Sequence, residues 1–282
     1  MKPAPFEYHA PEAIDDVCAL LAEYGDEAKV LAGGQSLVPM LALRLTRFEH
    51  LIDVNRVADL AGFDRENGSV VVRAATRQRV MERDPAIAQW VPLLARATPL
   101  IGHFQIRNRG TVGGSLAHAD PASEYPAVAV ALGAEMELAG PGGARRRVAA
   151  EDFFLGTWTT AADPEELLVA ARFPVWPAPS GFAIEEVARR HGDFALAGVA
   201  CAISADRAGI ALFGVGSTPL RAGAAEEAVL AGAGAAEVAA AAVADLDPPA
   251  DVHASGATRA RIARHLVERA VTRAQEDLRA AG

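Results

Sequence analysis

The sequence of 282 residues has little cysteine, little lysine and no long apolar run, and each shortage excludes a class of protein. Cys18 and Cys201 are the only cysteines, whereas an iron–sulfur cluster normally takes four thiolates, so we expect both to be reduced and buried. Lysine occurs only at Lys2 and Lys29, and a net charge of −9 without a basic run lacks the footprint of a nucleic-acid binder. No run reaches the roughly 18 apolar residues of a membrane helix, and no apolar segment follows the amino terminus as in a secretory signal. We therefore expect a cytoplasmic protein.

What is present is the composition of an ordinary globular protein. Apolar residues make up 51% of the chain and charged residues 22%, which is typical of folded proteins rather than disordered ones. A chain of this length buries enough surface to fold without disulfides, and it can accommodate two domains.

Hydrophobic periodicity predicts a small βαβ lobe at the amino terminus. Helices are predicted over residues 11–24 and 37–45, and strands over 29–32 and 51–54. A glycine turn at 33–36 connects the first strand to the second helix.

The middle of the chain is predicted to mix short helices and strands. Strands are expected over 70–74, 134–138, 144–148 and 168–173, with the middle two forming a hairpin that turns at 141–143. Helices are expected from 78–84 onward past residue 90, over 126–132 and over 164–168. The polar, glycine-rich stretch 102–115 is predicted to be a loop.

The stretch 174–181 carries the strongest linker signal, because three prolines and a glycine within eight residues do not continue regular structure. Beyond it, strands are predicted over 183–189, 198–205 and 210–215, followed by helical segments over 224–246 and 258–278. We therefore predict a domain boundary near residue 177.

The segment Ala32-Gly33-Gly34-Gln35-Ser36 stands where a predicted strand turns into a helix. Glycine allows a ligand to approach the backbone there, and successive amide groups at a helix start form an anion site suited to a diphosphate. The alternative is that the glycine pair makes only a tight turn. The segment is neither a G-x-G-x-x-G fingerprint nor a P-loop, which argues against a Rossmann or P-loop nucleotide site.

A second glycine pair follows a hydroxyl residue in Thr111-Val112-Gly113-Gly114-Ser115. Two such loops in one chain suggest a ligand with two phosphates held between two lobes. Downstream, Asp120 and Glu124 are candidate acceptors for ribose or ribityl hydroxyls; the alternative is that they are solvated or cap the next helix. His118 is a further candidate, although a lone histidine is more often a hydrogen-bonded structural residue.

Four stretches together resemble the flavin subunits of molybdenum hydroxylases of the carbon monoxide dehydrogenase and xanthine dehydrogenase type. Each stretch is weak alone, but all four occur in the order and spacing of that family and span nearly the whole chain. They are residues 31–39, 106–124, 189–195 and 214–221.

The resemblance implies an α+β protein of two domains. Residues 1–177 would form a two-lobed FAD-binding domain of the PCMH-type fold, which is shared with vanillyl-alcohol oxidase and MurB-like reductases. Its lobe 1 would cover residues near 1–56 and its lobe 2 residues near 57–177. Residues 178–282 would form a smaller α+β domain similar to the carboxyl-terminal domain of the carbon monoxide dehydrogenase flavoprotein.

The resemblance also implies one noncovalently bound FAD. Its diphosphate would lie on the two glycine loops, with Glu124 on a sugar hydroxyl and the Asp193–Phe194 loop near the isoalloxazine ring. Two residues depart from the family pattern: Ser115 stands where asparagine is frequent, and Phe194 replaces the tyrosine frequent in the carbon monoxide dehydrogenase branch, which removes a hydroxyl donor. The implied FAD-binding residues are Leu31, Ala32, Gly33, Gly34, Gln35, Ser36, Leu37, Thr111, Gly113, Gly114, Ser115, His118, Asp120, Glu124, Asp193 and Phe194.

The implied activity is electron transfer within an oxidoreductase, which needs no catalytic acid, base or nucleophile. No catalytic constellation and no metal-ligand spacing of histidine and cysteine is evident in the sequence. The resemblance implies two partners, a large molybdopterin subunit and a small subunit with [2Fe–2S] clusters, assembled as a dimer of heterotrimers. FAD would pass their electrons to an external acceptor. Two alternatives remain open: a free-standing FAD-dependent oxidase or reductase of the same fold, and an interaction protein that has lost FAD.

Overall fold

The computed structural model describes residues 2–281, and its amino-terminal lobe is built on three parallel strands. Its elements are β1 (Glu7–His9), α1 (Ile14–Tyr24), β2 (Ala28–Leu31), α2 (Leu37–Ala42) and β3 (His50–Asp53). The strand order is β1-β3-β2. Val17, Cys18 and Leu21 lie on one face of α1 and pack against Ile52 of β3. The predicted βαβ unit is confirmed as β2-α2-β3, whereas β1 was missed.

The second lobe is built on a five-stranded antiparallel sheet of order β4-β5-β10-β6-β7, and β8 pairs separately with β9. Its elements are β4 (Phe63–Glu66), β5 (Ser69–Arg73), α3 (Gln78–Arg83), α4 (Pro85–Trp90), α5 (Pro92–Ala97), α6 (Phe104–Arg109), α7 (Val112–His118), α8 (Glu124–Leu132), β6 (Glu135–Ala139), β7 (Arg145–Ala149), α9 (Ala150–Phe153), β8 (Phe154–Gly156), β9 (Thr159–Thr160) and β10 (Leu167–Pro174).

The carboxyl-terminal part is a four-stranded antiparallel sheet of order β11-β12-β13-β14 with helices on one face. Its elements are β11 (Ser180–Ala188), β12 (Ala195–Ser204), β13 (Ala208–Phe213), β14 (Leu220–Arg221), α10 (Gly223–Leu230), α11 (Ala235–Ala242) and α12 (Gly256–Ala281). Helix α12 packs on β11 and β12 and buries Leu266, Val267 and Val271. At Gly181 of β11 a Cβ atom would collide with the backbone of Ala274, so only glycine permits this close approach.

Helix α8 lies between the second-lobe sheet and the carboxyl-terminal sheet. All of its residues are buried, because it packs against α5 and β10 as well as against β12 and β13. Phe173 of β10 therefore shares one hydrophobic core with Ala200 of β12 and Phe213 of β13. A surface helix carries a polar face, and α8 has none.

Two secondary-structure predictions are wrong. The stretch 102–115 is not a loop, because residues 104–109 form α6 and α7 begins at Val112. Gly113 lies inside α7, where a Cβ would lie 2.6 Å from the Ala74 Cα, so this glycine serves close packing rather than a loop. The helix predicted over 164–168 is absent, because Leu167 and Leu168 pair in β10 with β6. The mixed helix and sheet content agrees with the predicted α+β class. Along residues 2–281, no helix combines the length and the apolar composition needed to traverse a bilayer.

Candidate functional site

The first glycine loop follows β2 at the carboxyl end of the parallel sheet and leads into α2. Gly34 has a φ of 71°, a left-handed value that suits glycine. Within residues 2–281, the backbone amide groups of residues 33–36 donate to no protein acceptor, whereas the Gln35 side-chain amide donates to the Gly33 carbonyl at 3.1 Å. A row of unpaired amides beside a strand end is an anion-binding arrangement.

A cavity of about 340 Å³ adjoins these amides. Its lining residues are Leu31, Ala32, Gly33, Gly34, Gln35, Val38, Pro39, Asp53, Asn55 and Arg109. Asp53 and Asn55 come from the carboxyl end of β3, the neighbouring strand, where ligands of open α/β sheets commonly bind. The Asn55 side-chain amide donates to the Ala32 carbonyl at 2.9 Å, and Asp53 accepts the Tyr8 hydroxyl at 2.6 Å, which holds both residues in place.

Two arginines supply positive charge beside the cavity. Arg109 lines it, and the Arg77 guanidinium donates to the Arg109 carbonyl and, at 2.6 Å, to Asn55 Oδ1. Burial and then the nearby charge of Arg109 lower the pKa of Arg77, whereas the charge of Asp53 acts in the opposite direction. Free amides and two arginines together suit a diphosphate.

The second glycine loop differs from the first because its amide groups are already hydrogen-bonded. Val112 donates to the Thr76 carbonyl, Gly113 to the Ala74 carbonyl at 2.8 Å, and Gly114 to Thr111 Oγ1 at 3.0 Å. Ser115 likewise donates to the Thr111 carbonyl. The backbone amides of this loop therefore each have a partner within the chain.

The glycines of the two loops allow the loops to approach each other. A Cβ on Gly33 would lie 2.5 Å from the Arg109 carbonyl oxygen, so a larger side chain there would push the two lobes apart. A Cβ on Gly114 would be in ordinary contact with the Ala32 Cβ at 3.7 Å and would instead collide with Thr111 Oγ1 at 2.6 Å. The expectation of two adjoining loops between two lobes agrees with this geometry.

His118, at the carboxyl end of α7, forms an aromatic and acidic cluster with Trp158 and Asp120. The Trp158 ring stacks on His118 with centroids 6.2 Å apart, and its indole N–H donates to Asp120 Oδ2 at 3.2 Å. Burial lowers the pKa of His118, which favours the neutral imidazole. His118 is therefore a packed residue at the rim of the site.

Three carboxylates lie where α8 begins and where β11 ends. Burial, followed by the charge of Glu186, raises the pKa of Glu124 to about 8, and burial raises that of Glu186 to about 7. Within residues 2–281, Glu186 Oε2 and Asp193 Oδ2 are buried without a hydrogen-bond partner, although Arg189 pairs with Asp193 at 3.5 Å. Such oxygens favour a ligand that brings hydroxyl donors.

The loop between β11 and β12 carries Phe194 at the far end of the site. Its Gly192 has a φ of 84° and rests on Gly102, whose carbonyl carbon would lie 3.1 Å from a Cβ there. The Phe194 side chain is 58% exposed, so it is not a core residue. The Gly214 amide donates to the Pro121 carbonyl at 2.8 Å, which brings the stretch 214–221 beside the stretch 106–124.

The structure thus brings the two glycine loops together, places His118 beside Asp120 and Trp158, and sets Glu124 near Glu186. The sequence analysis missed several residues that lie beside these groups. They are Asp53, Asn55, Arg77, Arg109, Trp158 and Glu186. Only Asp53 and Asn55 carried a local signal, since polar residues directly after a predicted parallel strand are typical of ligand sites.

Comparison with known families gives two matches along the chain. Residues 4–176 match the model described as the FAD binding domain in molybdopterin dehydrogenase, and residues 182–274 match the CO dehydrogenase flavoprotein C-terminal domain.

The similar curated proteins are subunits of dehydrogenase complexes. The carbon monoxide dehydrogenase medium chain of Hydrogenophaga pseudoflava is 43% identical over 228 residues, which cover 78% of each chain. The 6-hydroxypseudooxynicotine dehydrogenase complex subunit alpha of Paenarthrobacter nicotinovorans is 39% identical and covers 97% of this chain and 96% of its own. A solved structure of the Hydrogenophaga pseudoflava carbon monoxide dehydrogenase that lacks the Mo-pyranopterin moiety superposes with a TM-score of 0.94 at 41% identity, covering 98% of this chain and 99% of the other.

Proposed function

Because this chain belongs to the family of FAD-binding subunits of molybdenum hydroxylases, we propose that it carries electrons from [2Fe–2S] clusters on a partner subunit to an external acceptor. It is an oxidoreductase subunit, and its cofactor is FAD. The observation that carries the proposal is the row of unpaired amides at residues 33–36, flanked by Arg77 and Arg109, in a cavity of about 340 Å³.

The residues of the site fit the diphosphate, the hydroxyl groups and the ring of FAD. We place the diphosphate on the amides of the first loop beside Arg109, with the second loop fixing the distance between the lobes. The oxygens Glu186 Oε2 and Asp193 Oδ2, which accept no hydrogen bond within residues 2–281, would accept hydroxyl groups of the sugar or ribityl chain together with Glu124. Phe194, exposed on its loop, would lie against the isoalloxazine ring.

When bound, FAD supplies the exchange of one or two electrons, which no side chain of the protein provides. The chain contributes binding and electrostatics: Arg77 and Arg109 hold negative charge. Glu124, with a pKa of about 8, is mostly protonated at neutral pH, whereas Glu186, with a pKa of about 7, is about half protonated. Neutral carboxyls accept and donate hydrogen bonds without placing negative charge beside the cofactor.

We infer that the source of electrons lies on another polypeptide. Cys18 is a buried residue of α1, whereas Cys201 is a buried residue of β12, so the two thiols belong to separate cores and cannot share a cluster. The names of the relatives, a medium chain and a complex subunit, support a multi-subunit assembly. We propose a large molybdopterin subunit and a small [2Fe–2S] subunit as partners, in a dimer of heterotrimers.

We also propose a domain organisation for the chain. Residues 1–177 form the FAD-binding domain, with lobe 1 near 1–56 and lobe 2 near 57–177, and residues 178–282 form the carboxyl-terminal domain. The family matches at 4–176 and 182–274 support this division.

Mixing experiments test the electron path. The FAD-loaded chain is combined anaerobically with the chemically reduced small subunit of its own complex, and flavin absorbance is followed by stopped flow. We expect rapid flavin reduction by that subunit and no reduction by organic substrates alone, with turnover restored on co-expression of all three subunits. If the single chain oxidises an organic substrate at roughly 1–1000 per second, the chain is instead a free-standing oxidase.

Acid precipitation tests the mode of FAD attachment. We propose noncovalent binding, so all the yellow chromophore should appear in the supernatant as FAD. Flavin that remains on the precipitated polypeptide would contradict this.

A further inference from the structure

A group of side chains that the electron-transfer function does not use lies at the amino-terminal end of the lobe-1 sheet. Strands β1 and β3 are parallel, and Glu7 stands directly opposite His50 in their register. Because side chains alternate along a strand, His9 points to the same face as Glu7 and His50. Two histidines and a carboxylate therefore converge although 41 positions separate the two histidines.

The donor atoms of this group lie at the separations of a metal coordination sphere. His9 Nε2 lies 3.1 Å from His50 Nδ1, and His50 Nδ1 lies 3.8 Å from Glu7 Oε2. All three ligand atoms fall within 4.8 Å of one another. Ligands bound tetrahedrally at 2.0–2.1 Å stand about 3.3 Å apart, so small side-chain rotations would bring the three atoms onto one ion.

Packing holds the imidazoles in position. The side chain of His50 is only 12% exposed, and the Tyr24 ring stacks on it with centroids 3.8 Å apart and an interplanar angle of 8°. The ring of His9 lies 5.3 Å from the same tyrosine. The Glu7 side chain is 75% exposed, so the site opens to solvent on the carboxylate side. An ion has a path of entry, and a water molecule has room to complete the coordination.

We propose that Glu7, His9 and His50 bind one divalent transition-metal ion of the class that prefers imidazole nitrogen, with Zn²⁺ as its representative. Two nitrogen ligands and one carboxylate favour zinc, copper or nickel over magnesium or calcium, which select oxygen. The three protein ligands leave a fourth position for water. No other group of three such side chains converges within residues 2–281.

This site is separate from the FAD cavity. The cavity lies at the carboxyl ends of β2 and β3, where Asp53 stands, whereas His50 begins β3, about 10 Å away along the strand. Metal binding and FAD binding can therefore be measured independently of each other.

Calorimetric titration of the full FAD-loaded chain, after treatment with a chelator, tests the proposal. We expect one Zn²⁺ per chain, no heat with Mg²⁺, and weaker binding at acid pH because protons compete for the imidazoles. Glu7→Gln and His9→Gln should each weaken zinc binding at least about tenfold, since even outer-shell groups contribute that much. Glu7 is exposed and His9 is half-buried on strand β1, and circular dichroism verifies that both variants keep the fold. The matched control is His265→Ala, an exposed histidine of α12, which should bind zinc like the parent.

A spectroscopic measurement covers the more buried ligand. The electron paramagnetic resonance spectrum of the Cu²⁺-loaded chain should report two imidazole nitrogens, and His50→Ala should remove one of them. Absence of saturable zinc binding, or binding that Glu7→Gln, His9→Gln and His50→Ala all leave unchanged, would overturn the site and leave a hydrogen-bonded histidine pair.

Discussion

Arg107 and Glu82 form a doubly hydrogen-bonded ion pair, in which Nε and Nη2 of the guanidinium each donate at 3.0 Å to the two carboxylate oxygens. The third nitrogen of Arg107 donates to the carbonyls of Ile101 and Gly102, both at 3.0 Å. Gly102 in turn supports Gly192 of the Asp193–Phe194 loop. A buried ion pair in the second lobe thus fixes the platform beneath the far end of the site.

Arg107→Lys should lower the free energy of unfolding by roughly 2 kcal/mol, because lysine keeps the charge but cannot make the forked contact or reach all the carbonyls. Urea denaturation measures this. The control is Arg47→Lys, whose pair with Glu49 is solvent-exposed at 3.6 Å and should contribute little. If both substitutions changed the free energy of unfolding equally, the double hydrogen bond of Arg107 to Glu82 would add no stability beyond that of an exposed ion pair.

Gly33→Ala should weaken FAD binding at least about tenfold, because its Cβ would lie 2.5 Å from the Arg109 carbonyl and force the two loops apart. Equilibrium titration of the flavin-free chain with FAD measures the affinity, and circular dichroism verifies the fold. Gly234→Ala serves as the control, since no atom lies within 4 Å of a Cβ at that position. Parent-like FAD affinity in Gly33→Ala would contradict a diphosphate site at the junction of the loops.

The buried carboxyls of Glu124 and Glu186 should make the flavin-free chain less stable as pH rises from about 5 to about 8. Their folded pKa values, about 8 and about 7, lie above the ordinary value of 4.5. Below that ordinary value both states hold the protons and the contribution is fully present. Above it the unfolded chain releases protons that the folded chain retains, and the contribution is lost by about pH 8.

Glu124→Gln should flatten this decline, because glutamine does not titrate. Urea midpoints across the pH range measure the slope, with the exposed Glu12→Gln as control. If Glu124→Gln keeps the slope of the parent, the carboxyl is ionised in the folded chain.

Phe194→Ala should shift the flavin absorbance or reduction potential while changing the free energy of unfolding by less than about 0.5 kcal/mol, because the ring is exposed. Leu230→Ala, another exposed apolar side chain, should change neither property. An unchanged flavin spectrum and potential in Phe194→Ala would mean that the ring lies away from the isoalloxazine.

The first loop and the two strands β2 and β3 beside it were predictable because their sequence signals are local. A glycine turn after a short apolar strand at Lys29–Leu31 needs only a few adjacent residues to be recognised. The second loop was harder to predict, because Gly110 separates α6 from α7 and Gly113 packs α7 closely against Ala74 instead of belonging to a long loop. In addition, the Thr111 hydroxyl that caps α7 accepts the Gly114 amide, and no sequence pattern shows that this amide is used.

Residues that meet only in space were not predictable. Glu186 of β11 approaches Glu124 of α8, and Arg77 reaches Asn55 from another lobe. His9 and His50 come together through a parallel strand pairing that was missed with β1. No periodicity or spacing in the chain encodes such contacts, because they depend on the order in which the strands assemble.

Helix α8 makes the regions on either side of the linker depend on each other for folding. Cutting the chain at the linker would strip one flank of α8 and expose Val128, Val130 and their neighbours to water, which favours aggregation of either fragment. The hinge-like appearance of residues 174–181 marks where the covalent chain passes from one region to the next. It does not mark a seam along which the folded molecule comes apart, so melting should proceed as one cooperative event rather than two.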